Sequence, residues 1–409
     1  MRLDQLEQSK LGTKAVRLFQ RRVFYVPGYD PFPPRRYREL YRKEAAEQAA
    51  VSGYDIVLLP QAGAGPGWRV EADIGGKAQA EIEVLVWSDL VQQSMAQGIL
   101  ATYAQLLRTA WVYIGSGALF RLMRLRKGPM IAALYPILFL LGQAVLAAVV
   151  AWGVGVGVGG ISHWSVGAVA GLAAGYAVLR GFRALDHRIF VYYLMHDYAF
   201  TAAGGGAYPA ALAARMAEFG AKVRAALAAD VDEVLVVGHS SGAHLAVSVL
   251  ADLIRGGLPQ PCPALGVLSL GHVVPMVSFL PAAGRLRGDL AYLSQCQEVT
   301  WVDVTAPGDG CAFALCDPVA VSGVAPAGQR WPLVISAAFT QTLSPERWRA
   351  LRWRFFRLHF QYLCAFDRPG DYDYFKITAG PLTLARRFAG RAPSASRIVT
   401  PLNRYRSLS

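Results

Sequence analysis

The pattern of hydrophobic and polar positions divides the chain into a charge-free middle and two alternating flanks. Residues 128–179 contain no Asp, Glu, Lys or Arg. On the N-terminal side, short β-branched runs at 23–26, 56–59, 69–74 and 81–87 read as strands, and 35–50 reads as a charged helix. Residues 88–89 start a helix, and 97–120, rich in Leu, Tyr and Trp, leads into a basic segment that lies along a membrane surface. On the C-terminal side, 234–237, 265–270 and 298–304 read as strands and 210–228 as an alanine-rich helix. Residues 189–193 fit either a strand or a continuing helix. Alternation of this kind predicts an α/β fold, a mostly parallel sheet with flanking helices. The chain then divides into 1–127, a hairpin at 128–180, a second half of the sheet domain at 181–385, and a basic surface tail at 386–409. No internal repeat is visible.

The middle stretch reads as a two-helix transmembrane hairpin. Residues 130–152 exceed the roughly 20 apolar residues that a bilayer requires. Tyr135 and Trp152 sit toward its ends, as interfacial aromatics do, and Pro136 is tolerated in such a helix. Residues 153–165 are glycine-rich and read as a turn at the far surface. Residues 166–179 form the second span, completed by flanking residues. Gly167, Gly171 and Gly175 repeat every four positions, which lets two membrane helices pack closely, within one chain or between two. Arg121, Arg124, Arg126 and Lys127 precede the hairpin, and Arg180, Arg183 and Arg188 follow it, so both ends are expected on the cytoplasmic side. Gly155 to Gly160 fits G-x-G-x-x-G, but it opens no strand–turn–helix unit, so no dinucleotide cofactor is expected.

Composition agrees with membrane contact. Of 409 residues, 54% are hydrophobic and 17% charged, with a mean hydropathy of +0.30. The net charge of +13 suits nucleic acid or an anionic membrane surface. No zinc-finger spacing or RNA-binding motif is present, which favours the membrane and argues against a nucleic-acid partner. The five cysteines show no metal-ligand spacing and read as reduced thiols in a cytosolic domain; no metal or other cofactor is expected. The charged N-terminus lacks the apolar core of a signal peptide.

Chemistry concentrates at Gly238-His239-Ser240-Ser241-Gly242. A buried-strand run precedes this G-x-S-x-G and a helix-length apolar segment follows it. Strand, tight turn and helix with serine at the apex form a nucleophile elbow. The turn would lift the Ser240 hydroxyl above the sheet and aim the Ser241 amide at a developing oxyanion. Serine hydrolases built on such an elbow take their partners in the order serine, acid, histidine. His244 lies one turn into the helix and reads as packing; His272 comes too early. His359 is the candidate base. Asp309, in a Pro-Gly-Asp-Gly turn, is the first candidate acid, with Asp303 and then Asp317 behind it; turn or cap chemistry is the alternative for each. The Tyr29 amide, in Pro27-Gly28-Tyr29-Asp30, is the candidate second oxyanion donor. His196-Asp197 could be a base and its orienter, but adjacent residues on one element do not face each other, so it reads as a loop or surface pair; Asp371-Tyr372-Asp373-Tyr374 reads as a polar turn.

These features together resemble the α/β-hydrolase superfamily. The stretch from Val304 to Asp309 is similar to the acid turn of lipase-like members, and His359-Phe360-Gln361-Tyr362 to their H-x-x-Y element. The Gly28-Tyr29-Asp30-Pro31 loop resembles that of bacterial membrane-anchored α/β-hydrolases, which implies an inner-membrane location. The hairpin departs from the pattern, standing where the superfamily usually carries its cap. The resemblance implies a membrane-anchored serine esterase acting on a carboxylic, membrane-partitioned ester through Ser240, His359 and Asp309. An acyltransferase or thioesterase with the same residues, and a catalytically silent membrane scaffold, are the alternatives.

Overall fold

The computed structural model describes residues 17–60 and 65–409. The first sixteen residues, over which no signal peptide is expected, lie outside that range. Among the described residues, eight strands form one sheet in the order β2-β3-β4-β1-β5-β6-β7-β8. They are β1 (Phe19–Val26), β2 (Asp55–Leu59), β3 (Gly67–Asp73), β4 (Lys77–Val84), β5 (Glu233–His239), β6 (Ala264–Leu270), β7 (Thr300–Thr305) and β8 (Leu333–Ser336). β2–β3 and β3–β4 pair antiparallel; every other pairing is parallel. β5 is buried along its whole length, and its Val-Leu-Val-Val run fits a central strand covered on both faces. β4 instead alternates buried and partly exposed positions. The four-residue β8 carries too little pattern to be expected from sequence.

The longer helices are α1 (Arg35–Ser52), α2 (Ser88–Met95), α3 (Ile99–Gly115), α4 (Ala118–Leu125), α5 (Lys127–Ile161), α6 (Trp164–Ala184), α7 (Val191–Ala203), α8 (Ala210–Leu227), α9 (Gly242–Arg255) and α10 (Gly284–Leu293). Helices α8, α9 and α10 bury Leu212, Met216, Leu245, Leu250 and Leu290 against one face of the sheet. On the other face, Tyr37 and Tyr41 of α1 pack with Leu358, Tyr362 and Phe366. Residues 191–193 belong to a helix rather than a strand.

Helices α5 and α6 are long and apolar enough to cross a membrane. The glycines of α6 pack the two helices together as their spacing predicts, whereas those of α5 do not form the expected loop. The glycine-rich stretch stays helical to Ile161, and only Ser162 and His163 break the chain. Without competing water, a backbone keeps its hydrogen bonds internal, so glycine there does not force a loop. Gly155 and Gly159 instead make room for the partner helix. A Cβ on Gly167 would lie 2.4 Å from the Gly155 carbonyl oxygen, and one on Gly171 2.4 Å from that of Ala151. Gly167, Gly171 and Gly175 are the buried residues of α6.

α5 has 35 residues, or about 52 Å at the helical rise, well beyond a hydrocarbon core of about 30 Å. One face of its lower half packs on the sheet domain, while Ile131 and Leu138 on the other face stay exposed. Met130 and Ala133 are buried with Leu122, Leu125 and Phe313, and Leu140 with Leu106, Val191 and Met195. Beyond Ala147 no residue of α5 is buried.

The segment expected to be a surface tail is instead docked. Asn403 donates to the Ser278 and Ser322 carbonyls, and the buried Arg287 donates to the Ser407 carbonyl. The buried Asn403 explains why a stretch that is basic by composition still follows the body of the protein.

Gly171→Leu should force α5 and α6 apart and destabilise the detergent-solubilised protein by about 1–3 kcal/mol. Gly157→Leu, with nothing within 4 Å of its Cβ position, should leave the melting temperature nearly unchanged. Equal effects from the two would contradict the glycine-packed hairpin.

Candidate functional site

The site forms where β5 ends and α9 begins. Ser240 adopts φ of +57°, a left-handed conformation that is costly for a residue with a Cβ. Its surroundings over-determine the strain. The Ser240 amide donates to the Leu270 carbonyl at 2.9 Å, and its carbonyl accepts from the Ala243 amide at 3.2 Å. A Cβ on Gly242 would fall 2.1 Å from the Val26 carbonyl oxygen, and one on Gly238 2.6 Å from that of Gly242. A Cβ on Gly28 would lie 2.9 Å from the Ser240 Cβ. Glycine at all three positions is therefore a steric requirement of the β1–β5–α9 crossing. The result leaves Ser240 partly exposed while its neighbours are buried.

Asp309 and His359 meet across the carboxyl end of the sheet. His359 Nδ1 lies 2.7 Å from Asp309 Oδ2, and both residues are buried. The Tyr362 hydroxyl donates to the same Oδ2 at 3.0 Å and accepts from the Ala306 amide at 3.0 Å. The Cys311 amide donates to Oδ1 at 2.9 Å. Burial pushes the Asp309 carboxyl up, but the facing imidazole and these donors outweigh it and hold it below the ordinary carboxylate range. Asp309 is thus an acceptor for His359 rather than a bare turn residue.

His359 also sits beside the serine turn. Its Cε1 is 3.1 Å from where a Cβ on Gly271 would stand. Gly271 directly follows Leu270, the residue that anchors the Ser240 amide. The ring of His239 packs 4.8 Å from that of His359, and His239 Nε2 donates to the His359 carbonyl at 3.0 Å. Burial and the nearby His359 push His239 down to about 3, so it stays neutral and serves as a strut. Ser240 Oγ and His359 are not themselves hydrogen-bonded to each other. Among the described residues, neither the Ser241 nor the Tyr29 amide has a protein acceptor.

The other candidates go elsewhere. Asp303 accepts from Ser269 Oγ at 2.5 Å and lies 3.6 Å from His272 Nε2 in a separate buried cluster. Asp317 caps a short helix through the Val319 and Ala320 amides. His244 is buried against the Tyr208 hydroxyl, and desolvation drives it down to about 3. Asp373 caps the helix Tyr374–Ala379, while Asp371 pairs with Arg391. Ligand atoms of Asp309, Cys311 and His359 lie within 4.8 Å of one another. They make a poor metal set: burial pushes the Cys311 thiol well above its ordinary value, and Asp309 Oδ2 already serves two donors.

Two residues escape a sequence reading. His239 is the unspecified position of the G-x-S-x-G pattern. Asp197 belongs not to a surface pair but to α7, where His196 is buried against Gln105. Asp197 lines a narrow apolar cleft with Ser241, Tyr29, Trp87 and Phe200. Nearby, the Tyr193 hydroxyl of α7 donates to the Tyr29 carbonyl, so the helix after the hairpin touches the candidate oxyanion loop. Burial raises the Asp197 carboxyl to about 7, against the pull of His359. An acid one residue from a charge-neutral helix face gives no signal of this in sequence.

Comparison with protein-family models, curated proteins and solved structures returned no match. The chemistry of the site is therefore argued from its own geometry.

Between the ordinary carboxylate value near 4 and about 7, the folded protein holds a proton on Asp197 that the unfolded chain releases. Stability from this group is complete at low pH and is lost as pH rises through that window. The melting temperature of the wild type relative to Asp197→Asn should therefore decline from pH 5 to pH 8. A flat or rising difference would contradict a desolvated, proton-holding carboxyl.

Proposed function

We propose that the protein is a membrane-anchored serine hydrolase of the α/β-hydrolase type, acting on a carboxylic ester. The observation that carries this reading is the left-handed Ser240, held in a strand–turn–helix crossing that only glycines permit, beside a buried Asp309–His359 pair. Strain of this order at a polar, partly exposed residue is kept where the residue does chemistry.

In this reading Ser240 Oγ attacks the ester carbonyl while His359 Nε2 takes its proton. Asp309 holds the Nδ1–H tautomer and stabilises the imidazolium, and Tyr362 and the Cys311 amide keep the carboxylate charged and oriented. The unpartnered Ser241 and Tyr29 amides receive the oxyanion of the tetrahedral intermediate. The imidazolium then protonates the leaving alcohol. Water, activated by His359, attacks the acyl-serine and releases the acid. The Ser240–His359 hydrogen bond forms as substrate enters, since catalytic hydrogen bonds tighten in the Michaelis complex.

Membrane location supports a membrane-partitioned substrate. The arginines flanking α5 and α6 favour a cytoplasmic sheet domain, with Ser162 and His163 on the far side. A cysteine placed at Ser162 should then react with an impermeant maleimide from the non-cytoplasmic side only; labelling from the cytoplasm would reverse the topology.

A fluorophosphonate probe should label the wild type and not Ser240→Ala. Asp309→Asn should lower ester turnover on the order of a thousandfold or more. Tyr362→Phe, which leaves two donors on Asp309, should cost on the order of ten- to a hundredfold. A folded wild type that resists the probe would sink the hydrolase reading.

A further inference from the structure

Beside the Asp309 turn, with neither Ser240 nor His359 in its lining, a cavity of about 710 Å³ opens between the α4–α5 junction and the segment around Trp353. Its walls carry Arg124, Arg126, Lys127 and Arg352, and a single carboxylate, that of Asp309. Asp309 is already committed to His359, Tyr362 and the Cys311 amide. Among the described residues no carboxylate lies within 4 Å of any of the four cations. Arg126 spends its Nε on the Ala314 carbonyl and also faces the Cys316 thiol, so its guanidinium is held at the cavity wall without a carboxylate partner. Four like charges around one concavity repel each other, and an anion seated there relieves that repulsion.

The surroundings say where the anion comes from. Lys127 is the first residue of the apolar helix α5. Apolar side chains of the lining stand exposed: Trp353 at 72%, Phe355 at 46% and Met123 at 43%. Aromatics beside arginines at the foot of a membrane helix mark the headgroup layer. We infer that this cavity binds the phosphate of an anionic lipid headgroup, gripped by Arg124, Arg126, Lys127 and Arg352, with the acyl chains lying along α5. Arginine suits a phosphate through paired N–H donors. The bound lipid would rest against the acid turn, because Trp348 packs on Gly308 and Phe355 on Gly310. The inference uses the hairpin's place in a membrane and does not depend on ester hydrolysis.

The test uses the full chain in a neutral detergent, with binding followed by native mass spectrometry and calorimetry. Dioctanoyl phosphatidylglycerol should bind at least tenfold more tightly than dioctanoyl phosphatidylcholine, and at least tenfold more tightly than glycerol 3-phosphate. Arg124→Gln with Arg352→Gln, both exposed and outside any ion pair, should remove at least tenfold of the phosphatidylglycerol affinity without changing the melting temperature. Arg386→Gln with Arg397→Gln, outside the cavity, should leave it intact, as should Ser240→Ala. Equal binding of the two lipids, or full affinity in the Arg124/Arg352 variant, would overturn the site. Glycerol 3-phosphate binding as tightly as the lipid would overturn the lipid as its source.

Discussion

The close crossing of β1, β5 and α9 is the constraint from which the rest of the site follows. At Gly242 even one added carbon would meet the Val26 carbonyl at 2.1 Å, and at Gly238 it would meet the Gly242 carbonyl at 2.6 Å. The turn between these glycines has no room to relax, so Ser240 is carried into the left-handed region. The buried core supplies the force: β5 is covered on both faces, and α9 is buried along most of its length. Packing free energy thus holds a strained backbone, and the strained backbone leaves one hydroxyl partly open above the sheet.

The same sheet end collects the other groups. The amide after Leu270 belongs to Gly271, against which the His359 ring rests. β7 delivers the turn that bears Asp309, and Tyr362 ties the start of that turn, Ala306, to the carboxylate. The hairpin is joined to this arrangement at two points. The foot of α5 touches the acid turn, where a Cβ on Gly128 would lie 3.4 Å from the Gly310 Cα. The helix after α6 reaches the Tyr29 loop through Tyr193. The apolar hairpin is therefore joined directly to the elements that carry the candidate site, rather than tethered to them by a linker.

Much of this was legible in sequence because local chemistry and global packing agree. The Val-Leu-Val-Val run, the glycines around Ser240 and the Pro-Gly-Asp-Gly turn each carry a short-range signal. The α/β alternation follows from the same runs. Four features were hidden. The glycines from Gly153 onward read as a loop under aqueous rules, whereas they lie in an apolar helix, and Gly155 and Gly159 among them pack on the partner helix. β8 is four residues long and owes its strand state to β7. The roles of Asp197 and His239 depend on which surfaces α7 and β5 bury, a tertiary fact with no sequence period. The C-terminal segment is similar: its composition suits a solvated tail, and only the Asn403 and Arg287 contacts fix it in place.

The central claim is that the Oγ of the strained Ser240 is the atom on which the acyl group is carried. It is tested most directly by quenching the protein in acid during turnover of an activated ester and mapping the acylated peptide by mass spectrometry. The account predicts one acyl increment, on Ser240, which builds up in the presence of ester and disappears once the ester is exhausted. An increment confined to another side chain, such as the Cys311 thiol, with Ser240 unmodified throughout turnover, would contradict it.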